Sequence, residues 1–287
     1  MEQIIQMIIN GCVLGSNLVM VTMGFSMLIG IMRLIQFAHG SMYMLGGYGV
    51  WYISVQLGLN YWLALVFSIV IVTVFGIILE RYFLRQFRET LLPAVVVTVA
   101  WMMILETGVL LIFGTESKSI PTVFAGTFNV KGIYLSKERF IVSLISIVSI
   151  GMIFLFMSRT KDGRAMRAVA REAETATLMG VNLARVFRLS MIIAVILAAA
   201  SGALMGPILT MDATVGGHMS IKALVAITLG GMGSIGGAAL ASYLLGMIES
   251  FTGTLVGADF AMLIYFFILI LVLLIRPQGF FGFEYKF

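Results

Sequence analysis

Residues 4–32 read IIQMIINGCVLGSNLVMVTMGFSMLIGIM, a run of 29 residues without a charged side chain. Its polar positions are few and include Asn10, Ser16, Asn17 and Thr22. A helix needs about 20 mostly apolar residues to cross the hydrocarbon core of a bilayer. This run is long enough, and it lacks the basic start and the small-residue cleavage site of a secretory signal peptide. We therefore expect it to stay in the protein as a membrane span.

The whole chain shares this apolar character. Of its 287 residues, 61% are hydrophobic and 11% are charged, and the mean hydropathy is +1.09. An ordinary soluble domain has roughly 25% charged and 45–50% apolar residues. The composition excludes a cytosolic enzyme, a disordered protein and, with Cys12 as the single cysteine, a secreted disulfide scaffold. We interpret the net charge of +5 as a signal of membrane topology and not of nucleic-acid binding, since basic residues concentrate in cytoplasmic loops.

Further apolar runs follow the first, separated by short polar or basic stretches. Each run is predicted to be a helical membrane segment of its own. The predicted segments cover residues 4–32, 41–57, 61–79, 93–113, 140–157, 189–211, 223–248 and 260–275. The predicted fold is all-α, a single transmembrane domain over residues 1–287. We expect about seven to eight transmembrane helices, Gly-rich broken segments and an inverted repeat.

The basic residues predict how these segments are oriented. Seven of the 18 lie within residues 159–188, and Arg81, Arg85 and Arg88 follow the third segment. By the positive-inside rule both stretches are cytoplasmic, which puts the N-terminus and the loop 114–139 outside. The C-terminus is then inside if residues 223–248 enter the membrane and return, broken at their glycines. We prefer that arrangement to a single crossing.

Two glycine-rich breaks interrupt the apolar pattern, one at residues 36–40 and one at residues 230–237. Non-helical backbone at membrane depth is tolerated where protein or a water-filled cavity satisfies it, and paired broken helices mark transport pathways. We expect the two breaks to meet near the bilayer midplane and to line a pathway. The alternative is close packing and satisfied backbone groups at a helix break. The predicted pathway residues are Gln36, Phe37, His39, Gly40, Gly230, Gly231, Gly233 and Gly236.

Motifs for nucleotide or metal chemistry are missing from the sequence. It has no G-x-x-x-x-G-K-[ST], so it does not bind ATP by a P-loop. The run 230–237 matches the dinucleotide fingerprint by spacing alone, without the soluble βαβ unit that the fingerprint requires. His39 and His218 have no cysteine or carboxylate at ligand spacing, so we expect no metal, no cofactor and no catalytic residue. Glu106 is the ionisable residue predicted within a span, where it lines a polar cavity, lies near a span end, or pairs with a neighbouring helix or a partner subunit.

The basic segment 159–188 is too long for a simple turn. Residues 165–179 have helix-forming composition, and Arg164, Arg167 and Arg171 recur at helical spacing. Two interpretations stay open. The segment is either a solvated amphipathic helix that fixes topology or a docking element for a cytoplasmic partner, with Glu172 and Ala173 on its exposed surface.

Three stretches together resemble the permease subunits of branched-chain amino acid ABC transporters, of the LivH type. They are residues 35–40 with 43–46, residues 163–168 through 176–181, and residues 226–237; residues 276–282 also fit. Gln36 departs from the asparagine that is usual there in the family. Phe-Ala-His-Gly at residues 37–40 favours the LivH branch over its LivM partner, and the resemblance covers nearly the whole chain.

The resemblance implies the membrane half of an ATP-driven importer in the bacterial inner membrane. A LivM-like second permease would complete the pathway within membrane lipid, two ATP-binding cassette subunits would hydrolyse ATP, and a periplasmic binding protein would deliver branched-chain amino acids. It also implies that residues 159–188 form the coupling loop towards the ATPase. The coupling residues are then Arg164, Arg167, Glu172, Ala173 and Gly180.

Other functions stay open at this point. Related permeases also serve urea and short amides, so the cargo has an alternative. A rival class is an ion-coupled secondary transporter or channel, which would move solute as a purified single protein. An intramembrane enzyme is a third class, which the lack of clustered acid and base groups disfavours.

Overall fold

The computed structural model describes residues 2–87, 90–130, 133–257, 260–276 and 278–281. Single π-helical turns at Tyr52–Gln56 and Glu80–Leu84 extend the helices His39–Trp51 and Tyr61–Leu79. The strands β1 (Thr127–Val130) and β2 (Ile133–Ser136) pair antiparallel, with Thr127 opposite Ser136. The helices are α1 (Glu2–Met32), α2 (His39–Trp51), α3 (Tyr61–Leu79), α4 (Leu91–Phe113), α5 (Lys137–Arg159), α6 (Lys161–Arg171), α7 (Ala173–Leu178), α8 (Leu183–Met205), α9 (Val215–Gly230), α10 (Ile235–Leu255) and α11 (Phe260–Ile275).

The predicted all-α polytopic architecture is confirmed. Within the described residues, six helices are long and apolar enough to cross a membrane, and α9 and α11 are shorter apolar helices. The predicted segment 41–57, which is α2, is not among these helices, and 223–248 falls on two of them, so the number of crossings stays a prediction. The β-hairpin lies in the predicted loop 114–139 and was not expected from the sequence. The inverted repeat stays a prediction.

Helix α1 is the central helix of the bundle, buried without interruption from Gly15 to Leu28. It packs antiparallel against α10, where a Cβ atom on Gly246 would overlap the backbone of Gly15. Near the middle of the same interface, the Thr22 and Ser242 hydroxyls are 2.7 Å apart. Small residues allow such close approach of helix backbones in membranes.

Glycines four residues apart occur at positions 11 and 15, 202 and 206, and 253 and 257, and they differ in what they contact. Gly11 lies against Met247 and Gly15 against Tyr243, so both form the α1–α10 interface. Gly202 lies against the carbonyl of Tyr43 and packs α8 on α2 in the same way. Gly253 has nothing within 4 Å of its Cβ position among the described residues, so no such contact is seen there.

Residues 223–248 form parts of two helices, joined by a turn at residues 231–234. The helices α9 and α10 are antiparallel, because Gly230 lies against Gly237 and Lys222 against Glu249. The predicted entry and return is therefore present, but its arms are longer than predicted. They begin at residue 215, not 223, and end at residue 255, not 248. The segment predicted at 189–211 is likewise displaced and is the helix α8 at 183–205.

Contacts at the helix ends divide the bundle into two opposite ends. At one end, Lys118 of the loop 114–139 and Met211 exchange two backbone hydrogen bonds of 2.8 Å just before α9 begins. At the other end, the N–H groups of Phe280 and Phe281 donate to the carbonyls of residues 229 and 230, where α9 finishes. The helix α6 packs at this second end too, in a cluster with Ile31 and Ile235. We name these the loop end and the basic end.

Some predictions fall on residues that the structure does not describe. They concern Arg88, residues 131–132 of the loop 114–139, Pro277 and the last residues, 282–287. The C-terminal tail is described as far as Phe281, and it lies at the basic end.

Cysteine labelling tests the orientation. On a Cys12→Ala background, Ser119→Cys should react with a membrane-impermeant maleimide in intact cells, since the loop end is predicted to be outside. Glu174→Cys and Gln278→Cys should react only after permeabilisation. All three positions are exposed, so access depends on the side of the membrane alone. Labelling of Gln278→Cys in intact cells would place the C-terminus outside, contrary to the prediction.

Candidate functional site

The first break folds the chain back along α1. The Nε2 atom of His39 lies 3.1 Å from the carbonyl oxygen of Val21, and the His39 ring is 5.4 Å from that of Phe25. The chain reverses just after α1, where Arg33 has a φ of 52°. The helix α2 therefore begins inside the bundle, beside the middle of α1, and not at a membrane surface.

Two hydroxyl groups satisfy the backbone of this break. Ser220 of α9 donates to the carbonyl of Phe37 at 2.6 Å and accepts from the N–H of Gly40 at 3.0 Å. Thr98 of α4 accepts from the N–H of Phe37 at 3.3 Å. A Cβ atom on Gly40 would overlap the carbonyl of Gly216, so α2 and α9 touch at their backbones here. These contacts are what the packing alternative predicts.

The polar side chains of the break are not satisfied in the same way. Gln36 and His39 are wholly buried, whereas Phe37 is half-buried. Among the described residues, neither amide atom of Gln36 nor Nδ1 of His39 has a hydrogen-bond partner, and the Ser26 and Ser41 hydroxyls also lack one. Buried polar atoms ordinarily have partners. This cluster is therefore the part of the break for which backbone packing does not account.

The second break lies at the basic end. A Cβ atom on Gly30 would be 3.1 Å from the Cα of Gly233. At 1.5 Å per residue, Gly30 is about 13 Å along α1 from Val21, where the first break lies. Along α9, Ser220 and Gly230 are about 15 Å apart by the same measure. The separation is therefore similar whether it is measured along α1 or along α9, and the structure does not bring the two breaks together.

Glycine is needed at the second break for backbone reasons. Gly231 and Gly233 have φ values of 101° and 83°, which side chains other than glycine rarely adopt. Gly230 touches Gly237 across the turn, while Gly236 is exposed with open space around it. The neighbouring Ile235 packs into the cluster that contains Met166 of α6. The second break therefore adjoins the basic segment.

The basic segment is folded as two helices on the surface of the bundle. The helix α6 buries Gly163, Met166 and Val169, and the Thr160 hydroxyl caps it by accepting from the N–H of Gly163 at 2.9 Å. Its other face is charged and exposed, so both sequence interpretations, solvated helix and docking element, fit its geometry. Of the predicted coupling residues, Ala173 is half-buried, and the exposed ones are Arg164, Arg167, Glu172 and Gly180.

An exposed apolar pair ends this segment, and the sequence analysis missed it. Leu178 and Met179 are 87% and 81% exposed, at the tip of α7. The next residue, Gly180, turns the chain with a φ of 84°. Exposed apolar groups rimmed by polar residues mark interaction sites. The available signal was two adjacent large apolar residues within the predicted loop 159–188.

A charged cluster joins α9, α10 and α11, and it was also missed. The Nζ of Lys222 lies 2.6 Å from one carboxylate oxygen of Glu249, and the hydroxyl of Tyr265 donates to the other at 2.5 Å. The predicted segment 223–248 stops just short of both charges, because a charge ends an apolar run. The charges of Lys222 and Glu249 neutralise each other, so α9 continues through Lys222 and α10 continues through Glu249.

Glu106 lies within α4, as predicted. Its carboxylate faces Gly217, in the first turn of α9. A carboxylate beside a helix N-terminus interacts favourably with the helix dipole. Of the predicted roles, contact with a neighbouring helix is seen, although Oε1 of Glu106 has no hydrogen-bond partner among the described residues. Among the described residues, no three His, Cys, Asp or Glu side chains are grouped to hold a metal ion.

Comparison with known proteins identifies relatives over almost the whole chain. Residues 7–273 match the family model described as branched-chain amino acid transport system / permease component. The chain is 32% identical to the high-affinity branched-chain amino acid transport system permease protein BraD of Pseudomonas aeruginosa, over 97% of this chain and 95% of that protein. It is 30% identical, over the same shares, to LivH of Escherichia coli K12, whose name describes the same system.

One solved structure is similar in fold. It is PsaBC from Streptococcus pneumoniae in complex with Fab, with a TM-score of 0.50 over 96% of this chain and 91% of that one. The sequence identity is 15%, so the likeness concerns the fold alone.

Removing the Ser220 hydroxyl tests what holds the first break. Ser220→Ala leaves a buried carbonyl and a buried N–H unpaired, which should destabilise the protein by about 1–3 kcal/mol. Thr228→Val is the control on the same helix, because that hydroxyl donates only to Leu224, one turn earlier, at 2.7 Å. The measurement is the midpoint of thermal unfolding in detergent. Equal midpoints for the two variants would mean that the break does not depend on Ser220.

Proposed function

This chain belongs to the family of permease components of branched-chain amino acid transport systems, and from that premise we propose that it carries branched-chain amino acids across the membrane as the permease subunit of an ATP-driven importer. The observation that carries the proposal is similarity over 97% of the chain to permeases named for this cargo. Urea and short amides are not named by these relatives. The subunit is a multi-pass membrane protein that transports and does not itself catalyse a reaction.

The proposed partners supply functions that this chain lacks, and they bind at the basic end and the loop end of the bundle. It has no P-loop, so we propose two separate ATP-binding cassette subunits that hydrolyse ATP and dock at the basic end. A periplasmic binding protein is proposed to deliver substrate at the loop end. A LivM-like second permease completes the pathway, and the assembly lies in the bacterial inner membrane.

The predicted pathway role of the first break stays a proposal. Phe37 is its half-buried residue and therefore the one that a substrate reaches first, while Gln36, His39 and Gly40 are buried behind it. The unpaired polar atoms of Gln36 and His39 support a role beyond packing. For Gly230, Gly231, Gly233 and Gly236 we propose a different role. They lie beside the basic segment and allow α9 and α10 to turn there.

The basic segment is proposed to couple ATP hydrolysis to transport. Leu178 and Met179 supply an apolar contact for the ATPase, and Arg164, Arg167, Glu172, Ala173 and Gly180 surround it. The buried face of α6 lies in one hydrophobic cluster with Met27 and Ile31 of α1. A force on this segment is thereby passed to the central helix, which supports the coupling role.

Reconstitution tests the proposed function. Proteoliposomes that contain this permease, its second permease and both ATPase subunits should take up leucine, isoleucine and valine when ATP is inside and binding protein is outside. The permease alone should take up none, because it has no energy source of its own. Uptake by the permease alone under an ion gradient would indicate a secondary transporter. Uptake of urea without leucine would indicate an amide importer.

The exposed apolar pair gives a sharper test of coupling. Leu178→Asp places a charge where an apolar contact is proposed and should lower uptake and binding-protein-stimulated ATPase activity at least tenfold. Leu178→Met, which keeps an apolar side chain, is the control. A bulky residue at Glu172 tests the same surface, whereas at Gly180 it would also strain the backbone. Normal uptake by Leu178→Asp would remove the pair from the coupling contact.

A further inference from the structure

The charged cluster lies inside the membrane-spanning part of the bundle. Lys222 is seven residues after the start of α9, and Glu249 is six residues before the end of α10. At 1.5 Å per residue, both are about 10 Å from the loop end. The pair therefore lies in the half of the bundle nearer the loop end, which is predicted to be outside.

One member of the pair is fixed firmly in position. Both carboxylate oxygens of Glu249 are engaged, one by Lys222 and one by Tyr265. The Tyr265 hydroxyl also lies 3.1 Å from the carbonyl of Leu245, and the tyrosine is buried. The ammonium of Lys222 lies 5.8 Å from the centre of the Tyr265 ring. An ammonium carries three N–H donors, so Lys222 can donate to a further acceptor beside Glu249.

Stability alone does not account for a charged pair at this depth. Desolvation of two charges offsets most of their attraction, and apolar replacements of buried ion pairs are often neutral or stabilising. Ionisable residues inside spans usually serve a function. The side chains of Lys222 and Glu249 are also 22% and 25% exposed in this chain. Since hydrocarbon solvates charge poorly, that exposed part requires a polar environment and not lipid.

We propose that Lys222 and Glu249 bind the charged groups of a zwitterionic amino acid during transport. The substrate carboxylate pairs with the Lys222 ammonium, and the substrate ammonium pairs with the Glu249 carboxylate, which Tyr265 holds in place. The bound state has no net charge, as the free pair has none. The proposal rests on the proposed amino acid cargo and adds a reason for selecting it, because neutral urea and amides offer no such charges.

This site is separate from the first break. Lys222 follows Ser220 by two residues, which places their side chains about 200° apart around α9. Ser220 faces the break, whereas Lys222 faces α10 and α11. Variants of the pair therefore leave the hydrogen bonds at Phe37 and Gly40 unchanged.

The test uses the reconstituted complex with labelled leucine. The double variant Lys222→Met/Glu249→Gln removes both charges together and leaves neither unpaired. It should assemble with its partners and keep binding-protein-stimulated ATPase activity, while leucine uptake falls at least tenfold. The exchanged variant, Lys222→Glu/Glu249→Lys, keeps an ion pair and should also transport poorly, because the two charges are reversed relative to the substrate.

The outcomes separate this inference from the proposed function. If the unchanged complex fails to take up leucine, the proposed function fails. If the unchanged complex works and the double variant transports equally well, the pair is structural and the inference fails. Full uptake by the exchanged variant, or failure of both variants to assemble, would also reduce the pair to a packing element. Leucine uptake by the variant His39→Ala, measured in the same assay, shows whether transport also depends on the first break, on the opposite face of α9.

Discussion

The contact between α1 and α10 is the interaction on which the rest of the bundle depends. In lipid no hydrophobic force drives helices together, so close packing and interhelical hydrogen bonds must hold them. Gly15 and Gly246 allow the two backbones to touch, and the hydroxyls of Thr22 and Ser242 meet in the same interface. The helix α1 becomes a buried axis, against which α5, α8 and α9 also pack.

The irregular backbone is placed by reference to this axis. The first break returns along α1 as far as Val21, and the second meets α1 at Gly30. The two breaks satisfy the same constraint, that polar backbone groups in a membrane need partners, by different means. Hydroxyls of neighbouring helices bridge the first, whereas the second is a tight turn of glycines. The first break lies beside the middle of α1 and the second lies at the basic end. These depths suit the roles proposed for them, a substrate pathway for the first and a turn beside the basic segment for the second.

The sequence predicted helices best where the apolar run was uniform. The predicted segments 61–79 and 260–275 coincide with α3 and α11. The predicted ends of the segment 223–248 were wrong, because hydropathy is a local property, while the partner of Lys222 is 27 residues away in the chain. Glu106 was noticed because it interrupts an apolar run locally. The pair of Lys222 and Glu249 was not noticed, because a local pattern does not show that two distant residues meet. The separation of the two breaks also escaped prediction, since no local pattern records how far a chain folds back.

The hairpin of α9 and α10 connects the features that the sequence left separate. Its turn adjoins α6 through Ile235, and its arms carry the charged pair, with Lys222 eight residues before the end of α9 and Glu249 fourteen residues after the start of α10. Glycine contacts hold its α10 arm to α1. The other arm, α9, is tied to α2 and α4 by Ser220 and by Glu106. A displacement of the basic segment therefore acts on the turn of a packed hairpin, and packed elements move as units instead of deforming continuously. By this route, a displacement at the basic end would move Lys222 and Glu249 together with the hairpin that carries them.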